Sequence, residues 1–191
     1  VKWDEATAVL VGDALQSLAF ELVTIPGISA RAEVRATLAH TLAQAAGGQG
    51  MVLGQALDIA AETADAPLSL DQITGLQAGK TGALITWAAL VGPRMAGADE
   101  APMRGYAEAL GLAFQIQDDV IDLTGDAAAV GKAVGKDSAA GKATFVSLLG
   151  LDEAKRRAEA LVMHACESLS PYGEGAARLR QLARFVIARE A

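Results

Sequence analysis

The stretch LGLAFQIQDDVIDL, from Leu110 to Leu123, limits this chain more than any other feature. On a helix, with about 100° between residues, Gln115, Asp118, Asp119 and Asp122 fall on one stripe with Gly111 beneath it. The rest of the circumference is Leu, Ala, Phe, Ile and Val, interrupted only by Gln117. A helix apolar around most of its perimeter is buried in a larger core. Its carboxylates must then face an internal cavity rather than open water, and the neighbours that bury it must supply that cavity.

Those neighbours read as helices too. Apolar spacing predicts helices near residues 3–23, 31–63, 70–92, 101–124, 152–169 and 174–190, and no segment alternates with the period of a strand. Pro26-Gly27, Pro67, Gly92-Pro93, Pro102 and Pro171-Tyr172-Gly173 supply the breaks. Ser69 and Asp71 suit the start of the third helix, and Asp152 the start of the fifth. The expected class is all-α, a single bundle around a central cavity. The one long stretch without helical spacing is GDAAAVGKAVGKDSAAGKAT, from Gly125 to Thr144.

Charge and composition exclude several roles. A net charge of −7 argues against nucleic acid as a partner. Every long apolar run is interrupted by Gly, Pro or a charge, so no membrane span is expected. Cys166 is the only cysteine, which excludes an internal disulfide and suits a reducing, cytoplasmic compartment. The chain opens on Val1 and enters a helical pattern almost at once, which reads as the interior of a longer protein.

Three carboxylates beside a cavity need cations. At an effective dielectric of ~20, each pair 4 Å apart repels by roughly 4 kcal/mol. Carboxylate oxygens without His or Cys suit Mg²⁺, which keeps part of its water shell and shares the rest with phosphates. Extra positive charge for a diphosphate comes from two places. Lys80, in QAGKTGALITW, lies on a helix face with Ala83, Leu84 and Trp87, and its flanking Gly79 and Gly82 would let the backbone distort and expose a carbonyl. Lys132, Lys136 and Lys142 each follow a glycine after the acidic helix, where an ammonium and backbone N–H groups can approach a phosphate together. The spacing of a Walker A loop is absent.

The segments GMVLGQALDIA, AGKTGALI, GLAFQIQDDVIDLTGD, GKAVGKD and GKATFVSLLGLDEAK occur in this order. Together they closely resemble the trans-isoprenyl diphosphate synthases, within them the bacterial farnesyl diphosphate synthase type. The resemblance implies a helical bundle that joins an allylic diphosphate to isopentenyl diphosphate, head to tail, with Mg²⁺. Carried onto this sequence, it makes Asp118 a direct metal ligand, with Asp119 and Asp122 acting mainly through metal-bound water. It assigns the allylic diphosphate to Lys80 and Lys132, with Lys142 nearby. Gln115 and Thr81, with the Lys80 carbonyl, would lie along the developing cation, and Gln55 and Asp58 would line the cavity. It also implies a homodimer, for which the alanine-rich helices within residues 3–63 are the candidate interface.

The family's first aspartate-rich motif, the arginine pair after it and the isopentenyl diphosphate pocket have no counterpart here. The expectation is therefore that residues 1–191 form the C-terminal portion of one synthase domain. Terpene cyclases and head-to-head synthases lack this ordered set of lysine motifs. A non-catalytic helical subunit that partners a complete synthase remains the alternative, against which stand the retained aspartates and lysines. His40 and His164 lie away from all these motifs and take no part in the expected chemistry.

Overall fold

The computed structural model describes residues 2–64, 66–124 and 143–189, and the regular structure among them is all helical. α1 (Glu5–Thr24) is followed by α2 (Ala32–Ala46), α3 (Met51–Ala61) and α4 (Leu70–Gln77). A π-helical turn, Ala78–Gly82, leads without a break into α5 (Ala83–Ala96), and α6 spans Ala101–Thr124. Beyond the undescribed segment come the short α7 (Phe145–Leu149), α8 (Leu151–Ser168), a 3₁₀ segment at Ser170–Ala176 and α9 (Ala177–Ala188).

α6 is the central helix. Its 24 residues span about 36 Å. Tyr106, Ala107, Leu110 and Ala113 pack with Val162 and Ala165 of α8 and with Ala183 and Val186 of α9. Further along, Ile116 and Val120 meet Ile73 of α4, Phe145 of α7, and Ala154 and Ala158 of α8. Alanines at these contacts let the helix axes come close. Tyr106 donates its hydroxyl proton to the Leu179 carbonyl at 3.0 Å, which ties α6 to α9. Burial, with a smaller effect from Cys166, pushes that phenol up to about 12.

α1 is the opposite case. Asp4 caps it by accepting from the Thr7 N–H at 2.8 Å, but none of its 20 residues is buried. Its length and mean hydropathy of 1.4 would suit a membrane-crossing helix, although Gly12, Asp13 and Glu21 interrupt it. Val9, Leu10, Leu15, Leu18 and Leu22 are all exposed.

Two predicted boundaries need correction. The helix expected over 31–63 is broken by a turn at residues 47–50 into α2 and α3. Gly50 adopts φ −137°, ψ −116°, and a Cβ there would stand 2.1 Å from the Ala45 carbonyl oxygen. Pro93, expected to end a helix, lies inside α5, buried, near its final turn. The helix ends instead at Gly97, at φ 66°, and the Ala98 N–H donates back to the Pro93 carbonyl at 2.9 Å. A proline so near the end removes one helical hydrogen bond and leaves the rest of the helix intact.

Candidate active site

The site begins with the π turn. Inserting one extra residue per turn rotates the side chains after it and leaves backbone groups out of helical register. Glycines from two helices hold it from both sides. A Cβ on Gly54 of α3 would stand 2.1 Å from the Lys80 nitrogen and 2.6 Å from its Cα. A Cβ on Gly111 of α6 would lie 3.3 Å from the Gly82 Cα. Only side-chain-free positions allow α3 and α6 this near to the turn that carries Lys80 and Thr81.

From the turn, Lys80 Nζ reaches Asp58 Oδ2 on α3 at 2.7 Å, with both groups part-buried. Asp58 thus anchors the ammonium while offsetting some of its charge. Gln55 lies one turn before Asp58 on the same helix and is half-buried. The Thr81 hydroxyl donates to Gln115 Oε1 at 3.3 Å and lies 3.4 Å from Gln77 Oε1. Gln115 Nε2 then donates to Asp119 Oδ1 at 3.0 Å, and the Phe145 N–H donates to Asp119 Oδ2 at 2.8 Å. A continuous chain of hydrogen bonds therefore runs from the π turn through α6 to the start of α7.

The three aspartates of the stripe sit in different surroundings. Asp119 is buried at 8% exposure and held through both oxygens. Asp118 and Asp122 are half-buried, which leaves their carboxylates within reach of solvent. The donor set suits Mg²⁺: hard oxygens, no sulfur and no imidazole. Among the described residues, no three acidic, His or Cys side chains converge closely enough to hold a metal by themselves. Asp118 directly, and Asp122 through water, would serve a metal from one wall only.

One residue of this neighbourhood was not picked out by the sequence. Arg189, just past α9, places Nη2 3.7 Å from Asp118 Oδ1. Its guanidinium lies 4.1 Å from the centre of the Phe114 ring, and its carbonyl accepts from Gln117 Nε2 at 3.0 Å. Gln117, the lone polar residue on the apolar side of α6, holds the residue just past α9 against that helix. Its polarity amid apolar neighbours was the available signal. Lys132, Lys136 and Lys142 lie outside the described residues.

Between the π turn, α4 and α6 opens a cavity of about 430 Å³, lined by Gln77, Gly82 and Gly111 among others. It adjoins Thr81 through Gln77 and lies one turn below Gln115. Charged and polar groups thus stand at one end of a largely apolar space.

The Polyprenyl synthetase family matches residues 1–173 of this chain. The chain is 43% identical to the farnesyl diphosphate synthase of Haemophilus influenzae, over all of its own length and 65% of that protein. It is 41% identical to the farnesyl diphosphate synthase of Escherichia coli, over 99% of its own length and 65% of that protein. Among solved structures, an FPP/GFPP synthase from Zymomonas mobilis in its apo form superposes with a TM-score of 0.86. That pair shares 45% identity and covers 96% of this chain and 62% of the other. A geranyltransferase from Helicobacter pylori, complexed with magnesium and isoprenyl diphosphate, gives a TM-score of 0.77 at 34% identity, covering 98% of this chain and 61% of that one. The chain therefore spans about 65% of the length of the curated relatives it matches.

Proposed function

Because this chain belongs to the polyprenyl synthetase family, we propose that it carries the allylic half of a short-chain prenyltransferase site within one all-α domain. The reaction would join an allylic diphosphate to isopentenyl diphosphate. The C1–O bond of the allylic substrate breaks, a bond forms from C1 to the terminal alkene carbon of isopentenyl diphosphate, and a proton leaves as pyrophosphate departs. The observation that supports this best is the hydrogen-bonded chain from Thr81, next to Lys80, through Gln115 to Asp119 on α6, beside a largely apolar cavity.

In this reading the Lys80 ammonium, oriented by Asp58, binds the diphosphate and follows its growing negative charge as the bond breaks. Lys132 and Lys142 would add to that binding. Thr81 and Gln115 present fixed oxygen dipoles toward the developing allylic cation. Gln55 lines the same space. The apolar walls keep water from capturing the cation. Asp118 would ligate Mg²⁺ directly and Asp122 mainly through its bound water, and the ion would supply positive charge to the leaving diphosphate. Asp119 positions Gln115 and would act on the metal through bound water.

The protein is read as cytoplasmic and as a homodimer. Support for the dimer is α1, whose apolar side chains are exposed along the whole helix. A second copy would cover them, since a face of this size is rarely left open on a soluble monomer.

The function is tested with the full-length protein, geranyl diphosphate, isopentenyl diphosphate and Mg²⁺. Farnesyl diphosphate should form. Lys80→Ala should weaken the allylic substrate at least about tenfold while changing the isopentenyl diphosphate requirement only a few-fold. Equal weakening of both would contradict the assignment of Lys80, and no condensation by the wild-type protein would favour a non-catalytic subunit.

A further inference from the structure

Arg189 is tied to one turn of α6 through contacts of different kinds. Phe114, Gln117 and Asp118, spaced i, i+3 and i+4, are neighbours on the surface of that helix. The Arg189 guanidinium lies 4.1 Å from the centre of the Phe114 ring, and Nη2 donates to the Phe114 carbonyl at 3.4 Å. Gln117 Nε2 donates to the Arg189 carbonyl at 3.0 Å, and the Arg189 N–H donates to the Phe185 carbonyl at 3.1 Å. Backbone and ring contacts thus fix where the guanidinium stands. It stands 3.7 Å from Asp118 Oδ1.

That last contact works by charge rather than by direction. At 3.7 Å it is longer than a hydrogen bond, so it does not orient the carboxylate. Arg189 Nε is buried without a hydrogen-bond partner among the described residues, an arrangement that costs stability. The return for that cost is electrostatic. Asp118 and Asp122 are i,i+4 neighbours of like charge, and a cation beside Asp118 offsets their repulsion. The side chains of Arg189 and Asp118 are 20% and 38% exposed, so the carboxylate stays within reach of an ion from solvent. An ion arriving at Asp118 meets a positive charge already beside it.

We infer that Arg189 competes with Mg²⁺ for Asp118 and thereby sets how much Mg²⁺ the site requires. This rests on the assignment of Asp118 to Mg²⁺ under the prenyltransferase reading. Both cations draw on one carboxylate, and their mutual repulsion opposes holding them there together. Such coupling is reciprocal: whatever Arg189 takes from Mg²⁺ binding, bound Mg²⁺ takes from the hold of Arg189 on α6. Because the pair is part-exposed, the effect is a few-fold rather than orders of magnitude.

The test titrates Mg²⁺ into the full-length protein with inorganic pyrophosphate in fixed, saturating excess and at constant ionic strength. It reads the free Mg²⁺ concentration that gives half of the rise in unfolding temperature, so no turnover is involved. Arg189→Ala should lower that concentration about threefold, the size of a part-exposed ion pair. Arg189→Lys, which keeps the charge, should stay near wild type. In an Asp118→Ala background, Arg189→Ala should no longer matter, because the carboxylate for which the two cations compete is gone. Tightening is the diagnostic result, since removal of a residue that only anchors α9 would leave the Mg²⁺ requirement unchanged or raise it. Either of those outcomes in Arg189→Ala overturns the proposal while the prenyltransferase reading stands. So does an effect that Arg189→Lys reproduces or that persists without Asp118. If Asp118→Ala alone leaves the Mg²⁺ requirement at its wild-type value, the metal assignment falls and the proposal falls with it.

Discussion

α1 and α6 are both long and apolar, yet they meet opposite fates. α6 buries 11 of its 24 residues and joins both parts of the core, whereas α1 buries none of its 20. Hydropathy says that a helix must be covered, but not by what. α6 is covered by α4, α7, α8 and α9 of its own chain. α1 touches α2 and otherwise faces outward. The groups of the site that the structure describes hang on the covered helix, on the turn packed against it and on α3. Their positions are therefore set within the chain, while the apolar face of α1 is left exposed by the described residues.

This contrast can be broken by substitution. The largest effect is expected at Ile116, fully buried at the centre of α6. Ile116→Ala should lower unfolding free energy by about 2–5 kcal/mol in denaturant titrations, because the close-packed surroundings cannot collapse into the space. At the other extreme, Leu15 on α1 is 60% exposed. Leu15→Asp should change the unfolding of the separated subunit by no more than about 0.5 kcal/mol. Sedimentation of the same variant should nevertheless show the dimer dissociating. A large loss of subunit stability at Leu15, or a dimer that survives the change, would show that α1 is covered in some other way.

How far the sequence could be read follows the same division. α6 was bounded correctly at 101–124, because apolar residues recur around most of its circumference and Pro102 marks its start. Its acidic stripe was legible for the same reason. Glycines beside Lys80 announced a distorted turn, and the structure has a π turn there. The break at 47–50 was missed because helical spacing continues on both sides of it; the turn shows only in the backbone of Gly50. Pro93 misled because its effect depends on how near the helix end it lies. Arg189 was not assigned its contacts because these join residues remote in sequence, where periodicity carries no information.

The central claim is that the α6 carboxylates and Lys80 form a Mg²⁺-dependent diphosphate site, and calorimetric titration of geranyl diphosphate into the full-length protein tests it most directly. Binding should require Mg²⁺ in the wild-type protein. In Asp118→Ala, whose half-buried carboxylate can be removed with helicity intact, it should weaken by about a hundredfold, comparable to losses seen when a metal site is disturbed. Binding within a few-fold of wild type in Asp118→Ala, still dependent on Mg²⁺, would place the metal elsewhere and contradict the account.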